Sequence, residues 1–458
     1  MKKIIPFLLC AIVGSLTAAE PTWKAGVATQ LITPEKPLWM AGYGGRNQPA
    51  QGVLHPLWIK ALAIEDANGH VGVILSSDTL GIPKTIYDNT CEALKEQRGL
   101  DRSQIMLHAS HTHCGPVLRG ALLDIYPLDE EQLKRINAYS DKLERAIVET
   151  VGKALDSREP AKLFAGQGVS RFAVNRRNNV EGDVPRLRRE GKLKGPVDHS
   201  VPVLAVRSLK HELMALVFGY ACHNTTLSFY NWCGDYAGFA QIALEKHHPG
   251  AVAMFFAGCG ADQNPIPRRT VELAQRYGTM LASAVEETLL ADPRELTPEL
   301  KTAFEFTALE LGDPLTREEL EPTAKSNNYR GRWAKRLLKQ MDAGKPFIRE
   351  YDYPLQAWSM GGQKWITMGG EVVVDYSLRF KGEYGPNTWV AGYCNDVMAY
   401  IPSRRVLIED IPPRASSRWG YEGNTSMAVY GMPANRWADD VEDRIGFAVR
   451  RLMEKVSK

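Results

Sequence analysis

Four short apolar runs, each followed directly by a polar cluster, constrain the fold of this 458-residue chain more than any other feature. Their length and continuous apolarity predict buried strands, at 71–75 (VGVIL), 105–107 (IML), 213–218 (LMALVF) and 252–256 (VAMFF). Two stretches with helical periodicity, Asp129 to Leu155 and Arg268 to Leu290, predict amphipathic helices. Strands alternating with helices predict an α/β fold with a mixed or parallel sheet core flanked by helices.

The apolar stripes of the two predicted helices indicate which faces turn toward the core. They comprise Leu133, Ile136, Leu143, Ile147, Val151 and Leu155 in the first, and Ala274, Tyr277, Leu281, Val285 and Leu289 in the second. Two further strand-like runs occupy 365–368 and 389–393, after a candidate linker at 291–298. We assign the residues beyond this linker to the same domain, because the motifs below need both halves.

The polar clusters that follow the strands predict a single active site. They are 76–78 (SSD), 108–116 (HASHTHCGP), 222–225 (CHNT) and 258–265 (GCGADQNP), and Glu371 follows the run at 365–368. In open α/β sheets, ligands bind outside the carboxyl ends of the strands. We therefore expect the active site at these strand ends.

The histidines in these clusters indicate a metal site. His111 and His113 are two residues apart, so both project from one face of an extended segment. Imidazole nitrogen suits zinc, and catalytic zinc keeps about three protein ligands and one open position. His111, His223 and Glu371 would complete such a set. The ordinary alternative is a pair of histidines on the surface or in the core.

Short segments in order along most of the chain resemble the catalytic domain of the neutral and alkaline non-lysosomal ceramidases. The most specific match is 110–116 (SHTHCGP) against the family's T-H-T-H-S-G-P. The shorter matches are 40–43 (MAGY), 77–81 (SDTLG), 175–177 (NRR) for N-R-S, 223–225 (HNT) for H-P-T, 369–371 (GGE) for P-G-E, 394–400 for C-N-x-Y-x-x-Y, and 421–423 (YEG).

This resemblance implies an exported enzyme of sphingolipid metabolism that cleaves an N-acyl amide bond with a zinc-activated water and one Zn²⁺ per chain. It implies four metal ligands, His111, His223, Glu371 and Tyr400, with Tyr393 as the alternative phenol. It implies that His113 and Arg176 face the substrate amide, and that Asp78, Tyr43 and Tyr421 contact the substrate. The alternatives are a core-packed Tyr400 and a surface-paired Arg176.

The sequence departs from the family pattern at two places. In the run 261–265 (ADQNP), Asn264 stands where the family has a catalytic serine. We expect Asn264 to hydrogen-bond near the reacting carbonyl and Asp262 to orient a ligand or water; a nucleophilic Cys259 is the alternative. The chain also leaves no room for the family's C-terminal β-sandwich, so we expect residues 20–458 to form one ceramidase-like catalytic domain.

These departures keep two other functions open. One is a zinc esterase or deacylase acting on a substrate other than ceramide. The other is a non-catalytic binding protein that retained the fold.

The first nineteen residues resemble a secretory signal peptide, with Lys2 and Lys3, an apolar stretch to Leu16 and small residues before a cleavage site at Ala19. We expect a secreted or periplasmic protein; a membrane anchor is the alternative, although the apolar stretch is shorter than the roughly 20 residues of a membrane span. Export makes disulfides possible among the six cysteines after Cys10, and the sequence does not choose a pairing.

The distribution of charged residues indicates which kinds of binding partner to expect. The formal net charge is +3, of which the leader lysines supply two, so nothing favours a nucleic-acid partner. A basic loop at 185–194 and a basic amphipathic helix at 328–341, with Trp333 and Leu337, suggest peripheral contact with an anionic membrane. The alternative is a helix that packs on the core and exposes its basic face. The expected partner is otherwise a small-molecule or lipid substrate.

Overall fold

The protein is described by a computed structural model that covers residues 22–122, 124–410 and 420–457. The signal peptide predicted at 1–19, and Cys10 within it, lie outside these residues. The strands are β1 Trp23–Leu31, β2 Gly52–Val53, β3 Trp58–Glu65, β4 Val71–Ser77, β5 Ile105–Ala109, β6 Glu159–Val169, β7 Ala173–Asn175, β8 Ser200–Ser208, β9 Leu213–Tyr220, β10 Asn231–Trp232, β11 Val252–Ala257, β12 Gln263–Pro265, β13 Arg294–Glu295, β14 Leu300–Glu310, β15 Glu350–Met360, β16 Gln363–Met368, β17 Glu371–Val372, β18 Trp389–Ala391 and β19 Tyr400–Ile401.

The helices cover the sheets and connect the strands. They are α1 Lys84–Arg98, α2 Glu130–Asp156, α3 Val184–Arg189, α4 Asp235–His247, α5 Val271–Leu290, α6 Arg317–Ala324, α7 Tyr329–Asp342, α8 Val374–Tyr384, α9 Arg404–Glu409, α10 Ser426–Val429 and α11 Val441–Ser457. None of the helices in the described part of the chain is long and apolar enough to cross a bilayer.

The principal sheet is mixed, which confirms the predicted α/β fold. Its strands run in the order β11-β9-β8-β6-β1-β3-β4-β5, with β13 added beside β6. The outer pairs β9–β11 and β4–β5 are parallel, whereas the strands between them pair antiparallel. All four apolar runs singled out in the sequence are strands of this sheet, namely β4, β5, β9 and β11.

The sheet folds over so that its two ends touch. Lys60 Nζ in β3 donates to the carbonyl of Ala253 in β11 at 2.8 Å, and Ser76 Oγ in β4 donates to that of Phe255 at 2.6 Å. Five antiparallel pairings lie between β4 and β9, so these two strands would run in opposite directions in a flat sheet. Their carboxyl ends would then lie at opposite ends of the strands. The polar clusters at the strand ends therefore meet because the mixed sheet folds over.

A second sheet of four strands, β14-β15-β16-β18, packs beside the first and is covered by α11. The candidate linker at 291–298 joins the two sheets tightly. Within it, β13 pairs with β6, and the carbonyl of buried Leu296 accepts the indole N–H of Trp23 at 2.9 Å. The residues on either side of it thus form one packed unit in the described chain.

The long predicted helices are confirmed, with boundaries set by side-chain caps. The Asp129 carboxylate accepts the backbone N–H of Gln132 at the start of α2, and the Thr270 hydroxyl accepts that of Leu273 at the start of α5. The predicted inward face of α2 is wrong at one position, because Leu133 lies in the first turn of the helix and its side chain is exposed. Near a helix end the core no longer covers the stripe, so periodicity alone assigns too many residues to it.

The two basic segments differ in their surroundings. In α7, Trp333 and Leu337 are buried, and the Trp333 indole donates to the Met432 carbonyl at 2.9 Å. The apolar face of this helix therefore packs on the core, and membrane contact through its basic face stays a prediction. The segment 185–194 is not wholly a loop, since its first residues belong to the short helix α3.

Candidate active site and metal centre

Three segments that are far apart in sequence meet to form the candidate site. His111 follows β5, His223 follows β9, and Glu371 begins β17. The first two are joined where Thr112 bridges to Asn224 and the His113 N–H donates to the Asn224 carbonyl at 3.3 Å. β17 pairs in parallel with β19, which places Glu371 directly beside Tyr400.

Four buried donor atoms lie close together at this junction. Glu371 Oε2 is 3.2 Å from His111 Nε2 and 3.1 Å from His223 Nε2. The Tyr400 hydroxyl is 3.3 Å from His223 Nε2. A tetrahedral zinc ion with ligand bonds of about 2.0–2.1 Å has donor atoms about 3.3 Å apart. These three distances are close to that value, and the histidine cluster of His111, His113 and His223 could itself hold a metal ion.

The two histidines are held with Nε2 turned toward Glu371. Nδ1 of His111 lies 2.6 Å from the Leu80 carbonyl, and Nδ1 of His223 lies 2.8 Å from the Gly260 carbonyl. Because a carbonyl only accepts, each Nδ1 carries the proton and each Nε2 keeps its lone pair. Such a second hydrogen bond is typical of histidines that bind metals. His111 is also in the left-handed backbone region, at φ 58°, an unusual conformation for a residue other than glycine.

His113 contacts the same centre but is held differently. With His111 and His223 it forms a group whose ligand atoms lie within 4.8 Å of one another, and its Nε2 is 3.2 Å from His111 Nε2. Its buried Nδ1 has no hydrogen-bond partner in the described residues. Since no carbonyl fixes its tautomer, His113 suits a proton-transfer role better than ligation. Gly42, at φ 102°, makes room for this ring, since a Cβ there would lie 2.3 Å from Nδ1.

Burial and neighbouring groups determine the charges at the site. Burial raises the pKa of Glu371, but the interactions of its carboxylate with His111 and His223 outweigh that effect and hold the pKa well below its usual value. Burial lowers the pKa of His223 to about 4, helped by Arg176, and holds the pKa of His113 well below its usual value. At neutral pH the site therefore offers the Glu371 carboxylate and the neutral imidazoles of His223 and His113, the forms that bind metal ions.

The guanidinium of Arg176 links the phenol of Tyr400 to the side-chain amide of Asn264. Its Nη2 donates to the Tyr400 hydroxyl at 3.2 Å, and its Nη1 donates to Asn264 Oδ1 at 3.5 Å. Its Nε donates to Glu422 Oε1 at 2.8 Å, which fixes the guanidinium in place. Tyr400 is buried, but its hydroxyl also contacts His223 and Arg176. Arg176 pairs with buried Glu422 beside the site and not with a surface carboxylate.

Asp262 supports the site from behind. Its Oδ1 accepts the backbone N–H of Val374 at 2.9 Å, its Oδ2 accepts the Asn175 amide at 3.1 Å, and its carbonyl accepts the Arg176 N–H at 2.8 Å. Burial raises its pKa to about 6. The carboxylate therefore orders the segments that carry Arg176 and Glu371, and it does not touch the histidines.

The remaining predicted residues surround the centre at different depths. Tyr43 packs its ring 4.7 Å from that of His113, and its hydroxyl donates to the Leu227 carbonyl at 3.0 Å. Tyr421 is 37% exposed and lies against Tyr400 at 5.1 Å, so it stands at the mouth of the site. Asp78 is buried directly after β4, and its Oδ2 accepts the backbone N–H of Trp58 at 3.0 Å. This hydrogen bond ties the end of β4 to the start of β3.

The thiol of Cys259 does not fit the alternative role of nucleophile. Its side chain is fully buried in the hydrophobic core between the second sheet and α11, and burial raises the pKa of its thiol well above the usual value. The thiolate is the nucleophilic form, so this environment disfavours attack by Cys259.

Sequence reasoning assigned no role to Tyr430 and Glu422, which both act at the site. The Tyr430 hydroxyl donates a short hydrogen bond to Glu371 Oε1, the oxygen that faces away from the histidines. Glu422 is buried and bridges Arg176 to Arg177. The Y-E-G match contained Glu422 without indicating its role. No motif marks Tyr430, a single tyrosine that follows a four-residue helix.

Known proteins resemble the chain in both sequence and fold. The family model described as neutral/alkaline non-lysosomal ceramidase, N-terminal, matches residues 23–264. The neutral ceramidase of Pseudomonas aeruginosa is 26% identical over 263 residues, which are 55% of this chain and 38% of that protein.

Two solved structures share the fold. The crystal structure of neutral ceramidase from Pseudomonas aeruginosa superimposes with a TM-score of 0.69 at 19% identity, covering 94% of this chain and 75% of that one. A ceramidase complexed with C2 gives a TM-score of 0.69 at 18% identity, covering 94% and 76%. The sequence match thus spans well under half of the curated relative, and Glu371, Tyr400 and Tyr430 lie beyond the part matched by the family model.

Proposed function

Because the chain belongs to the neutral/alkaline non-lysosomal ceramidase family, we propose that it is a zinc-dependent hydrolase that cleaves an N-acyl amide bond in a lipid or lipid-like substrate. The observation that carries the zinc proposal is the set of four buried donor atoms of His111, His223, Glu371 and Tyr400, spaced 3.1–3.3 Å where they touch. The proposal that the bond is an amide is supported by the similarity to neutral ceramidases.

The residues of this chain divide the chemistry between them. A zinc ion held by these donors would need room for water or the substrate carbonyl as a further ligand, and it would then polarise the carbonyl and lower the pKa of the water to about 7. In this proposal His113, neutral at pH 7, takes up a proton and returns it to the leaving nitrogen. Arg176, which donates to the Tyr400 hydroxyl and to Asn264, would together with Asn264 hydrogen-bond the oxygen that gains negative charge.

A second candidate is a zinc esterase or deacylase on another substrate, and Asn264 in place of the family's serine favours it. Metal analysis of the purified protein, followed by a screen against N-acyl sphingoid lipids, other N-acyl amides and acyl esters, separates the two. Preferential turnover of N-acyl amides supports the first. Zinc binding without turnover of any of them would indicate a binding protein.

We expect Asn264→Ala to lower kcat about 100-fold, the usual loss when one oxyanion donor is removed. Asn264 Oδ1 accepts from Arg176, which leaves the amide Nδ2 free to donate. Asn264→Ser restores a donor and should retain activity within about tenfold. The measurement is kcat at saturating substrate. Wild-type kcat in the alanine variant would show that the amide does not have this role. A trapped covalent acyl-enzyme would instead contradict direct attack by water.

Tyr430→Phe should weaken zinc binding by about 10- to 100-fold, because hydrogen bonds to a ligating carboxylate tune both its orientation and its basicity. The variant deletes only the hydroxyl that donates to Glu371 Oε1. Zinc affinity is measured by competition with a chelator. Tyr329→Phe, on the surface of α7, serves as the control. Equal affinities in the two variants would remove Tyr430 from the site.

We also propose that the protein is exported, on the basis of its leader-like first nineteen residues. N-terminal sequencing of protein from a secreting host should begin at or near Glu20. Recovery of a secreted chain that still starts at Met1 would contradict cleavage.

A further inference from the structure

We propose that Cys114 and Cys233 form a disulfide in the exported protein and thereby tie the loop that carries His111 and His113 to the segment before α4. The inference rests on the export proposed above and is independent of the zinc proposal.

The backbones of the two cysteines are in direct contact. The N–H of Cys233 donates to the carbonyl of Cys114 at 3.3 Å, and the Thr112 hydroxyl donates to the carbonyl of Cys233 at 2.8 Å. A single backbone hydrogen bond keeps the two Cα atoms within about 7 Å of each other, near the separations that a disulfide spans. Burial and the neighbouring Cys114 thiol raise the pKa of Cys233 well above its usual value. The segments are therefore already placed for a bond.

The other cysteines have different neighbours. Cys394 Sγ lies 3.0 Å from His108 Nδ1, and the thiol of Cys91 interacts with the hydroxyl of Tyr87. All six described cysteines are buried with free thiols in this structure. The motif that resembles 110–116 has serine at the position of Cys114, so the pair is a feature of this chain.

Burial dictates when the bond forms. Both thiols are 0% exposed, so an oxidant cannot reach them in the folded protein. We expect the bond to form during folding by thiol–disulfide exchange with a protein disulfide of the export compartment. The two thiols release two protons and pass two electrons to that disulfide, which leaves as a dithiol. The new bond closes a loop of roughly 120 residues, a length for which the constraint on the unfolded chain is large.

The first experiment maps the bond. Protein secreted through its leader is denatured without reductant, alkylated with N-ethylmaleimide, and analysed by intact mass and peptide mapping. We expect four alkylated cysteines and one linked peptide that joins Cys114 to Cys233. Six alkylated cysteines, or a link between other cysteines, would overturn the proposal.

A parallel sample separates pairing from export. Protein made in the cytoplasm, denatured, reduced and refolded in a glutathione redox buffer should form the same link. If this sample pairs and the chain is not secreted, only the export proposal fails. If the chain is secreted and neither sample pairs, the disulfide proposal fails.

The second experiment measures thermal unfolding of Cys114→Ser, Cys233→Ser and the double variant, each with and without a phosphine reductant, because dithiols would also bind zinc. Without reductant, all three should unfold roughly 2–5 °C below the parent protein, and the double variant no lower than either single one. Reduction before folding should lower the parent to their level. Decreases that add in the double variant would show that the thiols stabilise only by packing.

Discussion

Replacing His223 with alanine should remove the bound zinc and lower the rate of hydrolysis to below about one thousandth. A metal that stabilises charge in the transition state contributes several kcal/mol, and each 1.36 kcal/mol is tenfold in rate. His223 contacts two of the other donors, since its Nε2 faces both Glu371 and the Tyr400 hydroxyl. Its loss removes one ligand and separates two others. Zinc content by elemental mass spectrometry and kcat/KM on an N-acyl amide are measured on the same sample.

The matched control for this variant is His247→Ala, which changes a mainly exposed histidine at the end of α4. The control should keep one zinc ion per chain and the parental rate. Circular dichroism checks that both variants are folded. A folded His223→Ala protein that retains full zinc and full rate would show that the metal site is assigned to the wrong residues.

Arg177→Met should destabilise the protein by about 3–5 kcal/mol, the usual result of removing one partner from a buried ion pair. The Arg177 side chain is fully buried, with Nη2 2.7 Å from Asp410 Oδ1 and Nη1 2.6 Å from Glu422 Oε2. Methionine fills much of the volume but leaves these two buried carboxylates without that cation. Glu422 also holds Arg176, so kcat should fall together with stability.

The measurement is the midpoint of urea unfolding, followed by fluorescence. The control is Arg186→Met in α3, where the arginine is exposed and pairs with Asp183 and Glu190. Surface pairs contribute little, so the control midpoint should correspond to a change within about 0.5 kcal/mol. Equal midpoints for the two variants would show that the buried network does not stabilise the fold.

The donor set stays a prediction, and the sequence pointed to its members only where the pattern is local. His111 and His223 follow strands that periodicity identifies, and the structure brings them to the same Glu371 oxygen. The sequence could not choose between Tyr400 and Tyr393 as the phenol. The pairing of β17 with β19 favours Tyr400, because it places this residue directly beside Glu371. Tyr393 instead packs its ring 4.3 Å from that of His111.

Other features depend on contacts that leave no trace in a local pattern. Tyr430 reaches Glu371 across 59 residues of sequence, and the Cys114 carbonyl meets the Cys233 N–H only because their loops cross at the site. Leu133 shows the reverse error, since a helical stripe predicts burial where the core has already ended.

The sequence by itself determined the buried strands, the amphipathic helices and the polar clusters at the strand ends, because burial and helical period act over a few neighbouring residues. Only the tertiary structure decided that the mixed sheet folds until its ends touch, which brings together strand ends that a flat sheet would separate. It also decided which donor atoms lie 3.1–3.3 Å apart. Such distances depend on how distant segments pack, and metal binding requires them to be met within a few tenths of an ångström.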